Sequence, residues 1–225
     1  MTEKVNDFKT QPELARVSEF LNRDSFNGFT QDDLFIMQFA KNGWGQDIAA
    51  LSNMAEALMN ASRAKLIIPS DMKRLLGSVV VRALHEKVSP YRKDPRAVNK
   101  LGHYGYYLEH LNIILGCYQS VADDEYLKLN LRVTEHLIAL SSAEKNCHAP
   151  LLPNVRMRWS ADQAAIIYSI WLYDQNNGTS LSNDLRDKWL DYMDTNMRDP
   201  ETRLYMTEVM GVKRYSKQPR GCALA

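Results

Sequence analysis

Three strongly apolar helical segments recur along this chain at nearly constant spacing, and that spacing limits the folds open to it. The first opens near residue 47, the second near 104 and the third near 160, so successive starts lie 57 and 56 residues apart. Each is followed, after a short break, by a more amphipathic helix. A period of this length marks stacked helical hairpins, with the apolar helix enclosed and its partner facing water.

The helices themselves follow from apolar periodicity and from cap and stop signals. Between Asp47 and Ile67, the residues Ile48, Leu51, Met54, Ala55, Leu58 and Met59 share one stripe. Pro69-Ser70-Asp71 stops that helix and caps the next, Asp71 to Lys87, whose stripe is Met72, Leu75, Leu76, Val79, Val80 and Leu84. A third helix, Tyr104 to Val121, is apolar nearly all round. Asp123-Asp124 opens a fourth, with Tyr126, Leu127, Leu131, Leu137 and Ile138 on its stripe. The fifth, Ala161 to Tyr173, is again almost wholly apolar, and Asn176-Asn177-Gly178-Thr179 ends it. Ser182-Asn183-Asp184 starts a sixth, carrying Leu185, Trp189, Met193 and Met197; Trp171 and Trp189 read as core. Strand signals are confined to short pieces at Arg203–Val209 and around Gly211.

The expected fold is all-α: stacked helical hairpins, with at most a short β-hairpin near 203–215. Residues 1–30 form an N-terminal extension and 31–225 about three and a half hairpins. Two readings of the assembly are open, a short open array or part of a closed toroid of about six hairpins. The period places a fourth enclosed helix near 217, where the sequence reads KQPRGCALA. A full ring would need on the order of 340 residues, so on the second reading the chain is a partial toroid. Such a piece exposes the apolar flank of its last hairpin, and self-association or a homo-oligomer is expected.

Composition narrows the function. Twenty-eight basic residues against 27 acidic ones give a net charge of +1, with no basic block to hold nucleic acid. The three cysteines, Cys117, Cys147 and Cys222, are too scattered for a disulfide framework. No apolar run approaches the ~20 residues of a membrane span, and the polar N-terminus lacks a signal-peptide core. The chain reads as cytoplasmic as it stands, and as periplasmic if an export signal precedes it. His85, His103, His136 and His148 form no i, i+4 metal pair, and phosphate-loop and metalloprotease motifs are absent; neither metal nor cofactor is expected.

Candidate chemistry gathers where the chain approaches the apolar helices. The three approaches are Trp44 to Asp47, His103 to His110, and Arg156 to Gln163, each mixing aromatics, amides and charges. Aromatic walls with a few convergent polar groups are the usual form of a small-molecule site. Glu109-His110 opens into an apolar stretch, where His110 is either a general base or acid or a core histidine. Asp162 and Asp47 each start an apolar helix, as caps or as acid–base carboxylates. Trp44, Tyr106 and Trp159 are a stacking wall or plain packing. Arg158, with Arg156, binds an anionic group or makes a surface ion pair.

The segments HYGYYLEHLNIILGCYQSV, LPNVRMRWSADQAAIIYSIWLYDQNNGTSL and KWLDYMDTNMRDPETRLYMTEV resemble the linalool dehydratase-isomerase family. The likeness rests on a His-Leu-Asn at 110–112, a Ser-x-Trp-x-Tyr-Asp at 169–174 with Gly-Thr after it, and a Trp-Leu-Asp before an Asp-Pro turn. It runs from about Asp47 to Ala225. The resemblance implies an (α/α)6 barrel and a lyase or isomerase acting on a small organic substrate. It implies a catalytic role for His110, with Asp162 standing where the family has a thiol. The family's other thiol falls near Pro153, and its tyrosine and cysteine near Ala40 and Trp44, none of which matches.

The leading expectation is therefore acid–base chemistry by His110 with Asp162 and Glu109, and substrate binding by Trp44, Asp47, Tyr106, Arg158 and Trp159. Two alternatives stay open. One is a carbohydrate-active (α/α) toroid, hydrolase or epimerase, using Asp162 with His110 or Asp47. The other is a helical scaffold without catalysis.

Overall fold

The structure is a computed structural model that describes residues 15, 46–67, 69–86, 88–91, 101–210 and 214–216. Six helices of 15–18 residues dominate it: α1 (Gln46–Arg63), α2 (Pro69–Leu84), α3 (Gly105–Val121), α4 (Leu127–Ala143), α5 (Ser160–Asn177) and α6 (Ser182–Asn196). Three short strands, β1 (Met157–Trp159), β2 (Glu208–Met210) and β3 (Arg214–Ser216), form one antiparallel sheet in that order. The protein is all-α with a small β element. The apolar helices begin at Gln46, Gly105 and Ser160, each within one residue of its expected start.

The described residues fall into two compact units. One comprises the residues before 97 together with 113–128; the other comprises 97–112 and those from 129 on. Helix α3 contributes its first half to the second unit and its second half to the first.

In the first unit α1 packs on α2. Every residue of the two expected stripes is buried, from Ile48 to Met59 on α1 and from Met72 to Leu84 on α2. Helix α1 ends in a left-handed residue, Lys65 (φ 58°), and the Leu66 amide reaches back to the Ala61 carbonyl at 2.9 Å. The second half of α3 adds Ile114, Leu115, Cys117 and Tyr118 to this core. Tyr118 lies beside Gly77, donates to Glu125 Oε2 at 3.2 Å and meets Tyr126 edge-on.

In the second unit, polar contacts fix the helix directions. The loop at 149–151 bridges the starts of α3 and α5. Amides of Gly105 and Tyr106 donate to the Pro150 and Leu151 carbonyls at 3.0 and 3.2 Å, and the Ala149 amide donates to Gln163 Oε1 at 2.9 Å. Eight residues into α3, Asn112 Nδ2 donates to Ser169 Oγ on α5 at 3.1 Å. The first half of α3 and α5 therefore run side by side and parallel. Helix α4 runs the opposite way: Thr134 meets Asn112, while Ser141, near its end, meets Gln163 at the start of α5.

The buried face of α4 differs from its apolar stripe. Asn130, Val133, Thr134, Leu137 and Ser141 are buried, whereas Tyr126, Leu127, Leu131 and Ile138 are only half-buried. Hydrogen bonding explains this rotation, because Thr134 and Ser141 have partners on α3 and α5 that leucines could not supply. Helix α5 is buried on most sides and ends at Gly178 (φ 65°), whose amide returns to the Asp174 carbonyl. Trp171 corrects an expectation: it is 42% exposed and stacked on Tyr168 rather than in the core. Trp189 packs with Tyr192 and Met206 against the buried cluster of Met193, Met197 and Val209.

The expected hairpin is present as β2 and β3; Gly211 lies outside the described residues. The sheet gains β1, the three residues before α5, in the register Met157 to Met210, Arg158 to Val209 and Trp159 to Glu208. Among the described residues, no helix is long and apolar enough to cross a membrane.

Candidate functional site

Tyr106, Glu109 and His110 lie one turn apart on α3, at positions i, i+3 and i+4, so they share a helix face. Gly105 makes their placement possible. A Cβ at this residue would lie 2.4 Å from the Pro150 carbonyl oxygen, so only glycine lets the 149–151 loop seal against the helix start. Asp162 sits in the first turn of α5, which β1 and that loop hold in place.

These two helix starts bring Glu109 and Asp162 together. The two carboxyl groups lie within electrostatic reach of each other, and both are buried, Glu109 at 1% exposure and Asp162 at 8%. Burial, joined by repulsion from Asp162, pushes Glu109 well above the usual carboxylate range. Burial raises Asp162 to about 6, against the lowering effect of its contact with Glu109 and its own backbone amide. Oε2 of Glu109 meets no hydrogen-bond donor. Two buried carboxyls so close disfavour each other's ionisation, and both titrate above the ordinary carboxylate range.

His110 flanks the pair. Its Nε2 lies 3.6 Å from Glu109 Oε1, and burial holds its pKa down at about 4, so it is neutral at pH 7. Tyr106 contacts His110 edge-on, with ring centroids 4.9 Å apart. Burial first, and then the Glu109 and Asp162 charges, hold its hydroxyl protonated far above the ordinary tyrosine range. Tyr106, Glu109, His110 and Asp162 thus form one cluster.

The other expected site residues lie apart from it or are otherwise engaged. Arg158 is mostly buried and bonds inward, to the Val155 and Met157 carbonyls and to Glu144 Oε1 at 3.4 Å. Trp159 is the N-cap residue of α5, and its indole Nε1 is buried without a partner. Asp47 belongs to the first unit; its Oδ1 is buried without a partner, and burial raises its pKa. Trp44 lies outside the described residues.

Two buried groups near the cluster are not flagged by the sequence. Gln163 bonds both Ser141 and the Ala149 amide, pinning the first turn of α5. His148 donates from Nδ1 to the Asn146 carbonyl at 2.6 Å, so its Nε2 is an acceptor, and Trp189 Nε1 donates to it at 3.3 Å. Ser160 Oγ is 3.4 Å from the same nitrogen. With its lone pair engaged by Trp189 and its pKa lowered to about 4, chiefly by burial, His148 is a structural acceptor rather than a base for Ser160. Only the loop position of His148 before an apolar helix could have signalled this.

Among the described residues, no group of three His, Cys, Asp or Glu side chains is arranged to hold a metal. A surface cavity of about 520 Å³ is lined by Asp194, Arg198, Asp199, Pro200 and Arg203. There Arg198 is already held by Asp194 and Tyr205, and no buried acid–base pair adjoins it. No protein-family model matches the chain, and no curated protein matches it.

Proposed function

We propose that this chain carries an acid–base enzyme of the lyase or isomerase class, acting on a small neutral organic substrate. The observation that carries the proposal is the buried Glu109–Asp162 carboxyl pair with His110 Nε2 3.6 Å from Glu109 Oε1. A carboxyl that keeps its proton near pH 6 is matched to protonating a leaving oxygen, and a neutral imidazole to taking a proton from carbon. In a dehydration the pair gives its proton to a hydroxyl, the C–O bond breaks, water leaves, and His110 removes the adjacent proton to leave an alkene. The 3.6 Å between His110 Nε2 and Glu109 Oε1 is a short path for that proton to return to the pair. An isomerisation uses the same two groups with water retained. The resemblance to linalool dehydratase-isomerases supports this class, with Asp162 standing where that family has one of its thiols.

The carbohydrate reading fares less well. Glycosidases work through two carboxyl groups ~5–9 Å apart across the scissile bond, whereas the carboxyl that neighbours Asp162 is Glu109, with His110 beside it, and Asp47 belongs to the first unit.

The test is incubation with linalool and simpler secondary and tertiary alcohols in heavy water, read by NMR for alkene formation or deuterium on carbon. Glu109→Gln, Asp162→Asn and His110→Gln should each lower the rate by about a hundredfold or more. The melting temperature of His110→Gln should stay nearly unchanged. Turnover that survives all three substitutions, or its absence in the unmodified chain, refutes the proposal.

A further inference from the structure

The chain that leaves α6 reads Arg198-Asp199-Pro200-Glu201-Thr202-Arg203, a turn opened by Asp-Pro and flanked by two arginines. Asp199 ties this loop to itself. Its Oδ1 accepts from the Glu201 and Thr202 amides at 3.0 and 2.8 Å and from Thr202 Oγ1 at 3.1 Å. The Arg203 amide closes on the Asp199 carbonyl at 2.8 Å, and the Asp199 amide donates to the Leu204 carbonyl at 2.8 Å. Together with the last turn of α6, the loop walls the surface cavity of about 520 Å³. That volume is of the size that small-molecule sites have.

The four charges in the wall differ in what they can offer a ligand. Asp199 is 4% exposed and turned into its own loop. Asp194 already accepts from Arg198 Nη2 and from the Tyr205 hydroxyl. Arg198 spends only Nη2 on Asp194 and Tyr205, so its Nε and Nη1 donors remain. Arg203 is exposed, and among the described residues its guanidinium makes no hydrogen bond or ion pair. Its backbone is left-handed (φ 63°), a conformation that glycine or asparagine takes at less cost. An arginine there weakens the loop and sets a planar cation at the cavity.

From the cavity and its two arginines we infer a binding site for a small anion, through a carboxylate or a phosphate group. Arg203 holds the group, with the free edge of Arg198 on the same wall. A guanidinium matches either group bidentately. An ammonium would meet the Arg203 charge with its own, and a neutral ligand would leave that charge unused. The inference stands apart from the acid–base reading, whose substrate is neutral.

The test follows the Thr202 and Leu204 amide resonances of the isotope-labelled full chain, at an ionic strength held constant with chloride. The probes are inorganic phosphate, succinate and the neutral diamide succinamide. At least one of the two anions shifts both resonances saturably, succinamide does not, and the tighter anion identifies the group. Arg203→Gly suits the left-handed backbone, so it leaves the melting temperature undiminished while weakening anion binding about tenfold or more. Arg203→Asn, also tolerant of that backbone, gives the same loss. Resonances that neither anion moves overturn the inference, and so does succinamide binding as tightly as succinate. Anion binding that survives both substitutions overturns it as well. His110→Gln leaves anion binding unchanged, so this site and the acid–base reading fail separately.

Discussion

Asn112 and Ser169, 57 residues apart, are hydrogen-bonded through Nδ2 and Oγ at 3.1 Å, joining consecutive apolar helices at equivalent places in the repeat. Asn112 is fully buried and also meets Thr134 Oγ1 at 3.0 Å, so one amide ties three helices together. Asn112→Ala should destabilise the fold by about 1–3 kcal/mol, because Thr134 and Ser169 lose a buried partner. A urea-denaturation double-mutant cycle with Ser169→Ala should give a coupling of ~0.5–1.5 kcal/mol. Zero coupling would mean that the helices are held by apolar contact alone.

Gly105→Ala tests the seal between the 149–151 loop and α3. The added methyl meets backbone, which cannot rotate away. A loss of about 1–3 kcal/mol is expected in thermal melts, with weakened turnover from the displaced Glu109 and His110. Unchanged stability would show that the loop does not sit where it is described.

Asp162→Asn separates catalysis from stability through pH. The native carboxyl is raised to about 6, while the unfolded one titrates near 3.8. Between those values the native state binds the more protons, so this group's contribution to stability falls as pH rises from about 4 to 6. Asp162→Asn removes that decline, and its stability relative to the unmodified chain should improve between pH 4 and pH 7. Turnover in the unmodified chain should fall above about pH 6 as Asp162 loses its proton. It should also fall near pH 4 as His110 gains one. A flat rate between pH 4 and 8 would exclude both assignments.

Asp174 predicts the opposite sign. Burial pushes its carboxyl up, but Ser182, Thr179 and the Leu181 amide donate to it and outweigh burial, leaving its pKa below the ordinary value. The stability it lends is complete above the unfolded value and is lost as pH falls through the folded one. Asp174→Ala, which uncaps α6, should cost about 1–2 kcal/mol at pH 7 and nearly nothing once the carboxyl is protonated. Chemical denaturation at both pH values measures the difference.

Much of this was legible in the sequence. The hairpin period placed the three apolar helix starts within a residue. Glu109, His110 and Asp162 stand out as polar groups at the openings of apolar helices, but each reads equally as a cap or core residue, and His110 is favoured as functional only by the family resemblance. That Glu109 meets Asp162, rather than each meeting solvent, depends on helices that are neighbours only in space. The α4 face was misplaced for a related reason: Thr134 and Ser141 are buried by virtue of partners on other helices, and hydropathy does not register partners. Strand β1 is three residues long, too short to show alternation. Asp174 caps a helix that starts eight residues later, beyond the reach of the usual Ser-Asn-Asp signal.

One consequence concerns the order in which the protein is made. Strand β1, which leads into the helix bearing Asp162, pairs with residues that follow it by about fifty positions, and the Ser160 amide bonds the Thr207 carbonyl at 3.2 Å. A ribosome releases those residues well after α3, α4 and α5 have emerged. The growing chain therefore carries both Glu109 and Asp162 before the sheet exists, and the first turn of α5 gains its support from β2 only after residues 208–210 have been made.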